Sequence, residues 1–276
     1  LIRDHGVSPS NILVITFTRM AAGGMKGRFL RLAAKEDTAG RMTGEAGRVT
    51  FGTFHAVFFT ILKHAYNYSA QNIVREEQQR EAIRQSIARY QIETEDENEF
   101  ISQLLAEISR VKSEGINPDM YYSINCSETV FRDIYRDYAH MLESNRLIDF
   151  DDMLVYCYEL LSKRPDILKA WQNKFRYILV DEFQDINRMQ YEVVKLLAGK
   201  TQNIFIVGDD DQSIYGFRGA KPEIMLNFER DFKNVIAVKE ASGDITQMDD
   251  IIKNKPANFD VISGDDGITF PLITLG

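Results

Sequence analysis

Only two cysteines, Cys126 and Cys157, occur in the 276 residues, and neither belongs to a CxxC or Cys/His spacing. This excludes a cysteine-based zinc site and a disulfide framework, and it fits a reducing compartment. No apolar run reaches 18 residues. The longest candidates, "AVFFTIL" (56–62) and "IFIVG" (204–208), have the length of buried strands or short helices, so no membrane span and a cytoplasmic location are expected. The opening "LIRDHGVSPSNILVI" begins on Leu1 and lacks the basic region, apolar core and small-residue cleavage site of a signal peptide. It reads as the middle of a longer chain. The pattern G-x-x-x-x-G-K-[ST] is also missing, and with it the backbone nest and lysine that cradle β and γ phosphates.

What is present can bury a core. Hydrophobic residues make up 44% of the chain, and its length suits one or two domains. The net charge of −8 is uneven. Residues 1–74 carry nine Lys/Arg against four Asp/Glu, and residues 75–150 carry nine against sixteen. Because binding follows local potential, the basic end is the better place for a polyanion despite the acidic whole.

"NILVITFT" (11–18) is a continuous apolar run ending in hydroxyls, the pattern of a strand buried on both faces of a parallel sheet. "RMAAGGMKGRFLRLAAK" follows with helical spacing, weakened by Gly23, Gly24 and Gly27 at roughly 1 kcal/mol each against Ala. "RVTFGTFH" then predicts a strand and "AVFFTILKHAY" a helix, with a loop at 38–47 before them. From about Ser69 to Leu168 the strand signal gives way to helical patterns such as "REEQQREAIRQSIARY" and "ENEFISQLLAEISRVKSEG", predicting a helical insertion. The acidic "ETEDENE" (93–99) reads as a solvated helix start. "FRYILVDEFQD", "INRMQYEVVKLLAG" and "NIFIVGDDDQSIYG" restore strand, helix and strand. Such alternation implies an α/β fold with a parallel sheet and ligands at the carboxyl ends of its strands.

Two clusters carry chemistry. After "ILV", Asp181 and Glu182 stand where a strand ends, suited to holding Mg²⁺ and to positioning water; the competing reading is a set of helix-capping acids. "VGDDDQSIYGFRGA" (207–220) adds Gln212, able to sense a terminal phosphate. Its Tyr215, Phe217 and Arg218 mix rings and guanidinium as single-stranded base stacking requires. The alternative there is a Gly-rich turn with buried rings.

"ITFTRMAAGGMKGR", "GTFHA", "LIDFDDML", "ILVDEFQDINRMQ" and "VGDDDQSIYGFRGA", in this order, resemble successive motifs of superfamily 1 DNA helicases of the UvrD/Rep/PcrA type, over about residues 1–234. The resemblance implies a RecA-like motor domain, incomplete here, in two parts (1–68 and 169–234) around a helical insertion (69–168). It implies ATP and Mg²⁺ as cofactors, and single-stranded DNA and single/double-strand junctions as partners. Asp181 would be the magnesium acid, Glu182 the catalytic carboxylate and Gln212 the link between γ-phosphate and DNA movement. Phe17, Arg19, Thr53, His55, Tyr215, Phe217 and Arg218 fall where the family contacts single-stranded DNA. Departures are Arg19-Met20 in place of Asn-Lys, Gly24 in place of an acid, and Phe217 in place of Trp. Without the family, His55 alone would read as a satisfied core histidine. The acids of "LIDFDDML" receive no role.

After "FERDFKN" the character changes. "VIAVK" reads as a strand ending in Lys239, Asp244 as the cap of a helix carrying Ile245, Met248, Ile251 and Ile252, and "FDVISGDD" as another strand. A strand-end lysine can be a Schiff-base nucleophile when desolvation lowers its pKa. Residues 235–276, with "KEASGD", resemble the later part of dihydrodipicolinate synthase, a (β/α)₈ aldolase-type barrel in which Lys239 would be the imine-forming lysine. About two of eight strand-helix units would be present, so no lyase activity is expected. The reading is a foreign fragment accidentally joined near residues 232–236, with a genuine fusion, expected to keep whole domains, as the alternative. Rival functions are a nonenzymatic single-strand binding module and a lyase named for this tail.

Overall fold

The computed structural model describes residues 1–36, 45–209, 220–232, 234–264 and 267–275. The chain divides into two compact units, Leu1–Met225 and Leu226–Gly276.

In the first unit, four short strands form one parallel sheet in the order β2-β1-β3-β4: β1 Ile12–Thr16, β2 Thr50–Thr53, β3 Tyr177–Val180 and β4 Ile204–Ile206. β1 is central, pairing Leu13 with Thr50 on one side and with Ile178 on the other. Leu13 and Ile15 are accordingly buried, as expected of a strand covered on both faces. The connections are helical, since parallel neighbours need a crossover. Helix α1 (Arg19–Glu36) packs on β1 and β2, and α2 (Phe54–Tyr66) buries Phe58, Ile61 and Leu62. The sequence placed Phe54 and His55 in a strand; they open α2 instead, because the Thr53 hydroxyl accepts the Ala56 amide and caps the helix there.

Between β2 and β3 the described chain is helical. Helices α3 (Glu76–Arg89), α4 (Glu97–Glu114) and α5 (Glu128–Ser144) bring Ile83, Ile101, Leu104, Phe131 and Ile134 into one core. α4 begins as its acidic start suggests, with Asp96 accepting from the Glu99 amide. The entry and exit of this segment are tied together: Ile148 donates to Asn72 O at 2.7 Å and Val74 donates to Ile148 O at 3.0 Å. Helices α6 (Phe150–Lys163), α7 (Pro165–Lys174) and α8 (Arg188–Ala198) lead back to the sheet, with α6 packing against α2, α4 and α8.

α6 starts at a buried polar node. Asp149 and Asp152 form a reciprocal capping box, and Lys112 of α4 donates to Asp149 Oδ2 at 2.6 Å and to Asp152 Oδ1 at 2.7 Å. Tyr138 of α5 adds a third bond to Asp149 Oδ2 at 3.0 Å. Burial works against the Lys112 charge, but the two carboxylates outweigh it and raise its pKa.

The second unit contains strands β5 (Ala237–Glu240) and β6 (Asp260–Ser263), paired parallel, with α9 (Ile245–Asn254) between them and α10 (Thr269–Leu275) after. Asp244 caps α9 and Met248 is buried, as the pattern predicts. The barrel-fragment expectation is not confirmed: this is a two-stranded βαβα piece among the described residues, and two strands cannot close on themselves. Among the described residues no helix is long and apolar enough to cross a membrane.

Candidate functional site

All four strands of the first sheet run the same way, so their carboxyl ends share one edge. Asp181 is held at that edge by the ladder itself: its N–H donates to Ile15 O at 2.9 Å, while Val207 donates to Val180 O and Phe183 to Val207 O, both at 2.8 Å. The chain then turns sharply. Glu182 adopts φ 53°, ψ 46°, the left-handed region, in which a non-glycine residue carries about 1–3 kcal/mol of strain. The turn leaves Glu182 exposed and sends Phe183, Gln184 and Asp185 inward. Gln184 donates from Nε2 to Glu182 Oε2 at 2.8 Å and accepts the Asp209 amide at 3.1 Å. Asn187 and Gln190 close the segment with a capping box on α8.

Partial burial, reinforced by the neighbouring Glu182 charge, raises the Asp181 pKa above the usual carboxylate value. The donor set fits Mg²⁺, which takes one or two carboxylates and completes its shell with water and phosphate oxygens. It does not make an all-protein cage, and no group of three or more His, Cys, Asp or Glu able to hold a metal occurs among the described residues.

An aromatic wall lies at the same edge, beyond β1 and β2. Phe17 follows β1, Arg19 opens α1 and is exposed, Thr53 ends β2, and His55 sits in the first turn of α2. All four line a cleft of about 280 Å³, together with Phe150. Phe17, His55 and Phe150 also border a larger cleft of about 870 Å³ that reaches Ser109 and Asp151 on α4 and α6. The Thr53 hydroxyl is engaged in the α2 cap. Burial lowers the His55 pKa, so at neutral pH it offers a ring and not a charge.

Phe150 was missed by sequence reasoning. It is 52% exposed and meets His55 edge-on, with ring centroids 5.4 Å apart. A signal existed in "LIDFDDML", because a capping box at Asp149 and Asp152 fixes the first turn and leaves Phe150, the first helical residue, exposed. Gln212, Tyr215, Phe217 and Arg218 lie outside the described residues. Lys239, on β5 of the second unit, is exposed and so lacks the desolvated setting that an imine-forming lysine requires.

Residues 1–233 match the UvrD/REP helicase N-terminal domain family, and residues 221–276 match the dihydrodipicolinate synthetase family. DNA helicase II of Haemophilus influenzae is 36% identical over 239 residues, covering 84% of this chain and 32% of the relative. ATP-dependent DNA helicase PcrA of Leuconostoc citreum is 34% identical over 248 residues, covering 86% and 31%. ATP-dependent DNA helicase Rep of Escherichia coli is 33% identical over 271 residues, covering 94% and 39%. The chain therefore spans about a third of the length of these relatives.

Proposed function

From the premise that this chain belongs, over residues 1–233, to the UvrD/REP helicase family, we propose that it supplies one wall of an ATP-driven motor that moves along single-stranded DNA and opens duplex at single/double-strand junctions. The observation that carries this reading is the shared sheet edge: the Asp181–Glu182 pair ends β3 while the Phe17, His55 and Phe150 rings stand beyond β1 and β2. Bound Mg²⁺–ATP would supply the phosphoryl group and neutralise its charge. Asp181 would hold the cation through its carboxylate, and Glu182, exposed on its left-handed turn, would orient water. Single-stranded bases stack on Phe17 and Phe150, with His55 as a neutral ring between them, Arg19 on phosphate and Thr53 beside the strand. Gln212 links nucleotide to DNA, and Tyr215, Phe217 and Arg218 extend the DNA contact.

In this reading residues 1–68 and 169–234 are the two parts of the motor domain, 69–168 its helical insertion, and 235–276 a foreign segment joined near 232–236. The 276 residues contain no phosphate-loop sequence, so this polypeptide alone is expected to bind single strands without turning over ATP. Fluorescence anisotropy with labelled oligo(dT) at low salt tests the assignment. Phe17→Ala and Phe150→Ala are each expected to weaken binding about 5- to 100-fold, the worth of one base–aromatic stack. No binding by the parent chain, or binding by both variants as tight as the parent's, would sink the DNA assignment.

A further inference from the structure

Gln184 has no part in the chemistry proposed above, yet it is 1% exposed and makes two directional bonds. A carboxylate only accepts and a backbone amide only donates. The side-chain amide of Gln184 therefore has one permitted orientation, with its NH₂ toward Glu182 Oε2 and its oxygen toward the Asp209 N–H. Gly208 makes room for it, since a Cβ there would come within 2.6 Å of Gln184 Oε1. Among the described residues this is the one hydrogen bond given to the Glu182 carboxylate.

We infer that Gln184 is a positioning residue for Glu182, aiming its carboxylate in a direction set by the backbone of Gly208 and Asp209 beyond β4. The inference rests on the reading of Glu182 as the water-orienting acid. A displacement at the end of β4 then reaches that acid through a single buried amide. Leu at position 184 breaks both bonds, while Glu keeps an acceptor for Asp209 and removes the donor to Glu182.

The test uses the full 276-residue chain labelled for NMR. In Gln184→Leu, Asp209 amide exchange is expected to accelerate about tenfold, as befits loss of one buried hydrogen bond, and the Glu182 carboxyl resonance to move. In Gln184→Glu the Glu182 resonance moves while Asp209 exchange stays within about twofold of the parent, because its acceptor remains. Gly208→Ala, which touches Gln184 and not Glu182, should also move the Glu182 resonance. Unchanged exchange of the α8 amides reports an intact fold, and if Gln184→Leu does not fold, the other two variants decide by the same readouts. A Glu182 resonance unmoved in folded variants overturns the inference. Mn²⁺ alone, added to the parent chain, should broaden the Asp181 and Glu182 signals. Failure there overturns the metal reading of the acid pair and leaves the Gln184 link to be judged by its own resonances.

Discussion

Lys112 shows at the scale of one residue why a buried charge is tolerated only with partners. Its buried ammonium is paired with two equally buried carboxylates, so Lys112→Met would leave Asp149 and Asp152 buried and uncompensated. A loss of about 3–5 kcal/mol is expected in urea unfolding, the cost typical of breaking such a pair. Asp151, one residue along, behaves in the opposite sense. Burial first, and the Asp149 charge second, push its pKa up to about 7 against the pull of Ser109 and Lys112. With the folded pKa above the unfolded one, the native state binds more protons between about pH 4 and 7, so this group makes stability fall as pH rises through that window. Asp151→Asn should therefore stabilise the protein at pH 8 and change little at pH 4, measured by denaturant unfolding at both. The Asp181–Glu182 pair was legible because an apolar run ended in acids. The left-handed turn at Glu182 and the Gln184 bonds were not, since Asp209 lies 25 positions away and only the folded sheet brings it close.

At the scale of elements, local rules located the strands well and helix starts less well. Helix α1 runs unbroken through Gly23 and Gly24, and a Cβ at either would meet nothing within 4 Å. Gly24→Ala is thus expected to raise stability by about 0.5–1 kcal/mol in thermal or urea unfolding, by cutting the freedom of the unfolded chain. The boundary between β2 and α2 was misplaced because β-branched and aromatic residues continue through it, whereas the Thr53 cap decides where the helix begins. Thr53→Ala should cost about 1 kcal/mol, the usual worth of such a cap.

For the molecule as a whole, the net charge of −8 predicts weak nonspecific attraction to DNA, so oligo(dT) affinity should depend on a small local footprint. A plot of log affinity against log salt is expected to have a slope near −0.7 for each phosphate neutralised, and a handful of contacts would give a total of about −2 to −4. Residues 226–276 form a compact unit of their own. A chain ending at residue 234 should keep oligo(dT) affinity within about twofold, measured by the same anisotropy titration, if the tail is foreign to the motor. The sequence by itself determined the alternation of strands and helices, the acids ending β3 and the family motifs, because each is written in contiguous residues under local steric and hydrophobic rules. Only the tertiary structure decided that Phe150 faces His55, that Lys112 closes the start of α6, and that Gln184 spans Glu182 and Asp209. Those contacts join residues far apart in the chain, and their energies come from burial and hydrogen-bond direction, which exist only once the sheet and helices have packed.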